Sequence, residues 1–180
     1  MDKNVNKNLK FVKTKNKIEK AFIELIDEKG FEKVSVSDIC DRAGLNRTTF
    51  YTHYFNINDL LEKLENEKMV ELTNRFNDKE SKNNFEKIRA ALSFVKENRS
   101  FYKIYFRMIP NLNILDHYVP PKFYYDYMNI PKDISKEDYN ICVSFFKFGL
   151  AGLMIEWIEG GCKESADDLN KLLSIFNIKL

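Results

Sequence analysis

Cysteine, proline, glycine and histidine are all scarce in this chain: three, four, six and two among 180 residues. Each scarcity removes a class of protein. Cys40, Cys142 and Cys162 are odd in number and far apart. They form neither a disulfide framework nor a metal-ligand cluster, and a reducing cytoplasm is the expected compartment. There is no glycine-rich phosphate loop, no Cys/His metal spacing and no nucleophile-elbow pattern, so neither an enzyme nor a bound metal or cofactor is expected. His117 has no Cys, Asp or second His placed to join it. Prolines 110, 120, 121 and 131 all fall in one stretch, which reads as the irregular part of the chain. No apolar run approaches the roughly 20 residues that cross a bilayer, and none follows the basic N-terminus. Neither a membrane partner nor a signal peptide is therefore expected.

What is present is an ordinary balance of 44% hydrophobic and 31% charged residues, suited to a globular domain. The net charge of +2 is unevenly placed. Residues 1–20 hold seven lysines against Asp2 and Glu19, a balance of +5, which leaves −3 for the other 160 residues. A basic leading arm on a mildly acidic body suits either a polyanion contact at one end or a solvated tail.

The hydrophobic spacing is helical nearly throughout. Ile18, Phe22, Leu25 and Ile26 share one face of a first helix, ended at Lys29–Gly30 because glycine accepts the left-handed conformation. Ser37 reads as the N-cap of a second helix to about Ala43. Gly44 allows a sharp turn, and Asn46 caps a third helix over 47–55. Asn56 and Asp59 stand close to capping-box spacing and open a long fourth helix to about Phe76. A polar break covers 77–84 and is the expected module boundary. Ser135 with Asp138, and Ser165 with Asp168, repeat the capping-box spacing ahead of the last two helices.

Helix, glycine turn and short helix form the helix-turn-helix plan, whose second helix enters the DNA major groove. Phe50 and Tyr54, one turn apart, anchor that helix to the core. Arg47, Thr48, Thr49 and Thr52 are then the base-reading candidates, because arginine pairs with guanine and threonine bonds a base or packs on thymine. Ser37, Tyr51, His53 and the backbone of Ile57 are the phosphate-contacting candidates. Arg42 is a further side chain within reach of a phosphate.

Gly30, Phe31, Ser35, Val36, Ile39, Cys40, Ala43, Gly44, Leu45, Thr49, Phe50, Tyr51, His53, Asn56 and Leu60 follow, in register, a pattern that resembles the TetR family of transcriptional regulators over residues 14–64. Two positions depart from it. Ile57 stands where the family usually has lysine, and Phe55, with no obvious solvent role, is expected to pack on the fourth helix. The resemblance implies an all-α fold: a flexible basic arm (1–13), a helix-turn-helix domain (14–56), a connecting helix (57–76) and a helical effector-binding and dimerisation domain (77–180). It also implies a homodimer, double-stranded DNA with a palindromic operator as partner, and repression relieved by a small apolar or aromatic effector.

In the second half, Phe101, Tyr102, Tyr105, Phe106, Tyr124 and Phe146 are the effector-pocket candidates, though aromatic stripes at helical spacing are commonly core. The helix over 136–159 is apolar on more than one face. Leu150, Leu153, Met154 and Trp157, with Leu169, Leu172, Leu173 and Phe176 of the last helix, are the dimer-interface candidates. The alternatives are a helical interaction protein of the same fold, acting through a protein partner, and an activator without an effector pocket.

Overall fold

The computed structural model describes residues 3–77, 83–108, 124, 125, 128 and 130–175, and every regular element among them is helical. His117, Phe176 and prolines 110, 120 and 121, singled out above, lie outside the described residues. Helix α1 spans Lys3–Lys29, a 3-10 turn Phe31–Lys33, α2 Val36–Ala43, α3 Arg47–Tyr51 and α4 Ile57–Phe76. Then follow α5 (Asn84–Glu97), α6 (Arg99–Met108), α7 (Lys136–Glu159) and α8 (Ala166–Ile175). The chain divides into two compact units, Met1–Val70 and Glu71–Leu180. The division falls inside α4 and not at the polar break.

In the first unit, Ile18, Phe22, Leu25 and Ile26 of α1 are buried together with Ile39, Phe50, Tyr54, Leu60 and Leu64. Each such apolar side chain contributes about 1.5–3 kcal/mol by leaving water. Gly30 (φ 81°) ends α1 and Gly44 (φ 65°) ends α2, both in the left-handed region. Three local expectations need correction. Residues 3–13 continue α1 as helix where a flexible arm was expected. The cap of α2 is Ser35, which accepts the Asp38 N–H while Asp38 accepts the Ser35 N–H; Ser37 sits half-buried inside the helix. Helix α3 stops at Tyr51 instead of 55, with the chain turning at Thr52 and His53.

In the second unit, α5 packs with α8 and α6 with α7. Ser135 and Ser165 both cap: each hydroxyl accepts the N–H of Asp138 or Asp168, at 3.0 and 3.1 Å, and donates to that residue's carboxylate at 2.8 and 2.7 Å. Buried Asn170 of α8 donates to the Phe85 carbonyl of α5 at 2.6 Å. The α7–α8 turn carries Gly161 at φ 85° and Cys162 at φ 51°. This strained turn is tied down by Lys96, which donates to the Cys162 and Glu164 carbonyls at 2.7 and 3.0 Å.

Helix α7 corrects two expectations. By length and composition it is apolar enough to cross a bilayer. Lys147 is the one charged residue between Ile141 and Ile155, and it interrupts the apolar run. The second correction concerns the dimer candidates. Of the candidates among the described residues, Met154, Trp157, Leu169 and Leu173 are buried in this unit's own core, Leu150 and Leu153 are half-buried, and Leu172 is exposed. The apolar residues left on the surface are a different set: Ile141, Phe145 and Phe148 on α7, 68%, 72% and 66% exposed, and Leu172 and Ile175 on α8. A helix that is apolar all round carries no signal for which stripe faces its own neighbours.

Candidate nucleic-acid interface

The candidate site is α3 and the turns on either side of it. Five residues are too few to stay helical alone, so α3 depends on its cap and its anchors. Asn46 Oδ1 accepts the Thr49 N–H at 2.7 Å, which satisfies one of the free donors at the helix start. On the inner side Phe50 is fully buried, with the Tyr51 and Tyr54 rings 5.5 and 5.8 Å from its own. Tyr54 donates its hydroxyl to Glu19 of α1 at 2.8 Å. Burial first, and then the Glu19 carboxylate, push the Tyr54 phenol well above its usual range, so it stays a neutral donor.

The outer side separates the four base-reading candidates. Arg47 and Thr48 are exposed, and among the described residues nothing bonds their side chains. Thr49 donates its hydroxyl to Asn46 Oδ1 at 2.8 Å, and Thr52 donates its own to the Thr49 carbonyl at 2.7 Å. Both threonines therefore commit their one hydroxyl proton to holding the helix. Arg47 and Thr48 remain the pair with free donors.

Of the phosphate candidates, Tyr51 is 56% exposed and Ile57 opens α4, where the first N–H groups have no intrahelical acceptor. Asn56 Oδ1 accepts the Asp59 N–H at 2.9 Å, and the Asp59 carboxylate accepts the Phe55 N–H at 2.8 Å. The Phe55 N–H, then Lys63, hold the Asp59 carboxyl below its usual range. Arg42 is occupied: it donates to Glu28 at 2.8 and 2.7 Å, with Glu24 at 3.6 Å. Phe55 does not bury itself on α4. It is 84% exposed, with the Lys63 ammonium 5.7 Å from its ring.

His53 is half-buried and stacks on Phe11 of α1 at 4.0 Å, and its Nδ1 is buried without a hydrogen-bond partner among the described residues. The sequence reading missed this contact because it joins positions 42 residues apart (53 against 11) in an α1 extension read as flexible. Burial first, and the Lys15 ammonium, hold the imidazole below its ordinary 6.5 against the opposing pull of Glu19. The unfolded chain then binds a proton that the folded one refuses. Stability from this group is present above pH 6.5 and is lost as pH falls through 6.5 towards the lower folded value. The expected result is a lower melting temperature of the first unit at about pH 5.5 than at about pH 7.5, with part of that drop abolished by His53→Phe.

The effector candidates make the contacts of a core. Phe101, Tyr102 and Tyr105 are buried and touch one another, Phe106 joins them, and Tyr124 meets Phe146 edge to face at 6.0 Å. Burial pushes the Tyr102 phenol above its usual range. Among the described residues, no group of His, Cys, Asp and Glu side chains is placed to hold a metal ion.

Family models match both units. One, described as bacterial regulatory proteins of the tetR family, matches residues 18–64; the other, described as a transcriptional regulator C-terminal region, matches residues 82–179. Among curated proteins the chain is similar to the dhaKLM operon transcriptional activator DhaS of Lactococcus lactis subsp. lactis (strain IL1403), with 32% identity over 94 residues. That match covers 52% of this chain and 49% of DhaS, so the chain spans about half the length of that relative. Among solved structures it is similar to the fatty acid degradation regulator FadR from Bacillus halodurans. The TM-score is 0.70 at 17% identity, over 92% of this chain and 98% of that one. A TetR transcriptional regulator from Streptococcus agalactiae 2603V is also similar, with a TM-score of 0.64 at 22% identity, over 98% of this chain and 99% of that one. At these identities the structural likeness is one of fold.

Proposed function

The chain belongs to the tetR family of bacterial regulatory proteins, and on that footing we propose that it is a cytoplasmic homodimer that reads a palindromic operator through α3. The observation that carries this reading is the division of labour in α3. Its inner side is locked by Phe50 and Tyr54, its start is capped by Asn46, and Arg47 and Thr48 stand exposed with no partner among the described residues. An unpaired arginine in the first turn of a held helix is suited to guanine O6 and N7. Tyr51 and the start of α4 supply the phosphate contacts that set its register.

Dimerisation is assigned to the exposed apolar stripe Ile141, Phe145 and Phe148 of α7, with Leu172 and Ile175 of α8. A two-fold dimer is what a palindrome requires, its reading heads about 34–36 Å or a multiple apart. In the fuller form of the proposal, operator binding represses transcription and an apolar or aromatic effector held by Phe101, Tyr102, Tyr105, Phe106, Tyr124 and Phe146 releases it. That form is supported by the aromatic character of the cluster. A second reading, activation, is favoured by the name of the Lactococcus relative. A reporter fused to the DNA upstream of the chain's own gene separates them: deleting the regulator raises expression if it represses and lowers it if it activates.

The DNA-reading step is tested by gel shift on that upstream DNA and on a scrambled duplex. Arg47→Ala should reduce the preference between them by about 5- to 150-fold, the worth of one bidentate base contact. Tyr51→Phe should weaken both alike, because a phosphate contact carries no sequence information. Equal binding of both duplexes by the unaltered chain at low salt would count against the reading.

A further inference from the structure

Residues 3–18 carry six lysines and no acid, and α1 holds them as helix. Like charges three and four residues apart oppose helix formation, so this arrangement works against itself unless a polyanion meets it. Lys10, Lys13 and Lys17 are exposed, recur at helical spacing along one side of α1, and have no ion pair among the described residues. Other lysines of α1 differ: Lys15 is paired with Glu19 and Glu67, Lys20 with Glu24, and Lys29 with Asp38. The row also has a fixed place. Phe11 lies between Lys10 and Lys13 and stacks on His53, which follows α3 by two residues. The tetR-family model begins at residue 18, so this row lies ahead of the part it describes.

We propose that Lys10, Lys13 and Lys17 form a second, sequence-independent DNA contact, gripping the phosphates that flank the bases read by α3, with the Phe11–His53 stack setting their position. The proposal rests on the assignment of α3 as the DNA-reading helix. From Lys10 to Lys17 the helix advances about 10 Å, the rise of roughly three phosphates of one strand counted along the duplex axis. Each neutralised phosphate releases counterions, so the row sets the salt dependence of binding and leaves base preference alone.

The test is fluorescence anisotropy of the full chain on two labelled duplexes, the DNA upstream of its own gene and a scrambled sequence, across a salt series. Circular dichroism confirms that each variant is folded. Replacing Lys10, Lys13 and Lys17 together by alanine should lower the slope of log affinity against log salt by about 2.7 per bound protomer, at about 0.9 per phosphate contact. The ratio of affinities for the two duplexes should not change. Phe11→Ala keeps the lysines but frees the helix from His53, and should lower the slope by less. The exposed lysines Lys132 and Lys163 of the second unit, replaced by alanine, control for bulk charge and should leave the slope unchanged.

An unchanged slope in the triple variant, alongside a lost preference in Arg47→Ala, would overturn the lysine row and leave the reading of α3 standing. An equal drop in the Lys132/Lys163 control would also overturn it. If neither the triple variant nor Arg47→Ala alters duplex binding, the reading of α3 itself fails and the row fails with it. Capture by phosphatidylserine vesicles that the triple variant alone loses, with duplex binding intact, would assign the row to a membrane and refute the proposal.

Discussion

Phe145→Glu combined with Phe148→Glu should convert the proposed dimer to a monomer and lower operator affinity by about 10²- to 10⁴-fold, the range set by losing linkage between two binding modules. Both rings are exposed on α7, at 72% and 66%, so neither supports the core of its own chain. Two carboxylates on that stripe cost little in a monomer facing water. In a dimer they would be buried opposite their own copies, as unpaired like charges. The outcome expected from sedimentation velocity is a halved mass with an unchanged melting curve of the separate chain. A variant that remains dimeric would move the interface to another face. Met154→Ala and Trp157→Ala make the contrast. These residues are buried within the unit, so their loss should lower stability before it alters association.

Phe50→Ala has the second large effect, about 3–5 kcal/mol for removing a buried phenylalanine. In a unit of this size each kcal/mol moves the melting temperature by about 4–8 °C, so the first unit should melt at least roughly 12 °C lower. The functional cost follows from the same packing. Phe50 is the fully buried residue of a five-residue helix, and Tyr51 and Tyr54 both lean on its ring. Without it, α3 loses the contact that keeps Arg47 and Thr48 in place. Specific DNA binding should therefore disappear at temperatures where the second unit stays folded. A melting curve like that of the unaltered chain would refute the anchoring role.

Much of this was legible in the sequence because it is written in local chemistry. Gly30 and Gly44 mark left-handed positions, Asn46 and Asn56 mark helix starts, and the one-turn spacing of Phe50 and Tyr54 marks an anchored face. The Ser35 cap was equally readable: Ser35 and Asp38 have the spacing that correctly located the caps at Ser135 and Ser165. Other features depend on tertiary structure. The Phe11–His53 stack joins two segments far apart in sequence. The outward stripe of α7 has no periodic signature, because the inward stripe is equally apolar. Between these lie Thr49 and Thr52, whose hydroxyls turn to nearby acceptors. Threonine does this often enough that their weaker claim on bases follows from residue type. Phe55 remains exposed, and nothing in the first unit explains its burial-prone side chain there.

In the proposed complex α3 reads DNA with Arg47 and Thr48 at its exposed start. The most direct measurement is a hydroxyl-radical footprint on the DNA upstream of the chain's own gene, at low salt, with the unaltered protein and Arg47→Ala side by side. The account predicts two protected patches on one face of the duplex, about one helical turn or a multiple apart, that fade in Arg47→Ala. Uniform protection without patches, or patches that survive Arg47→Ala unchanged, would contradict it.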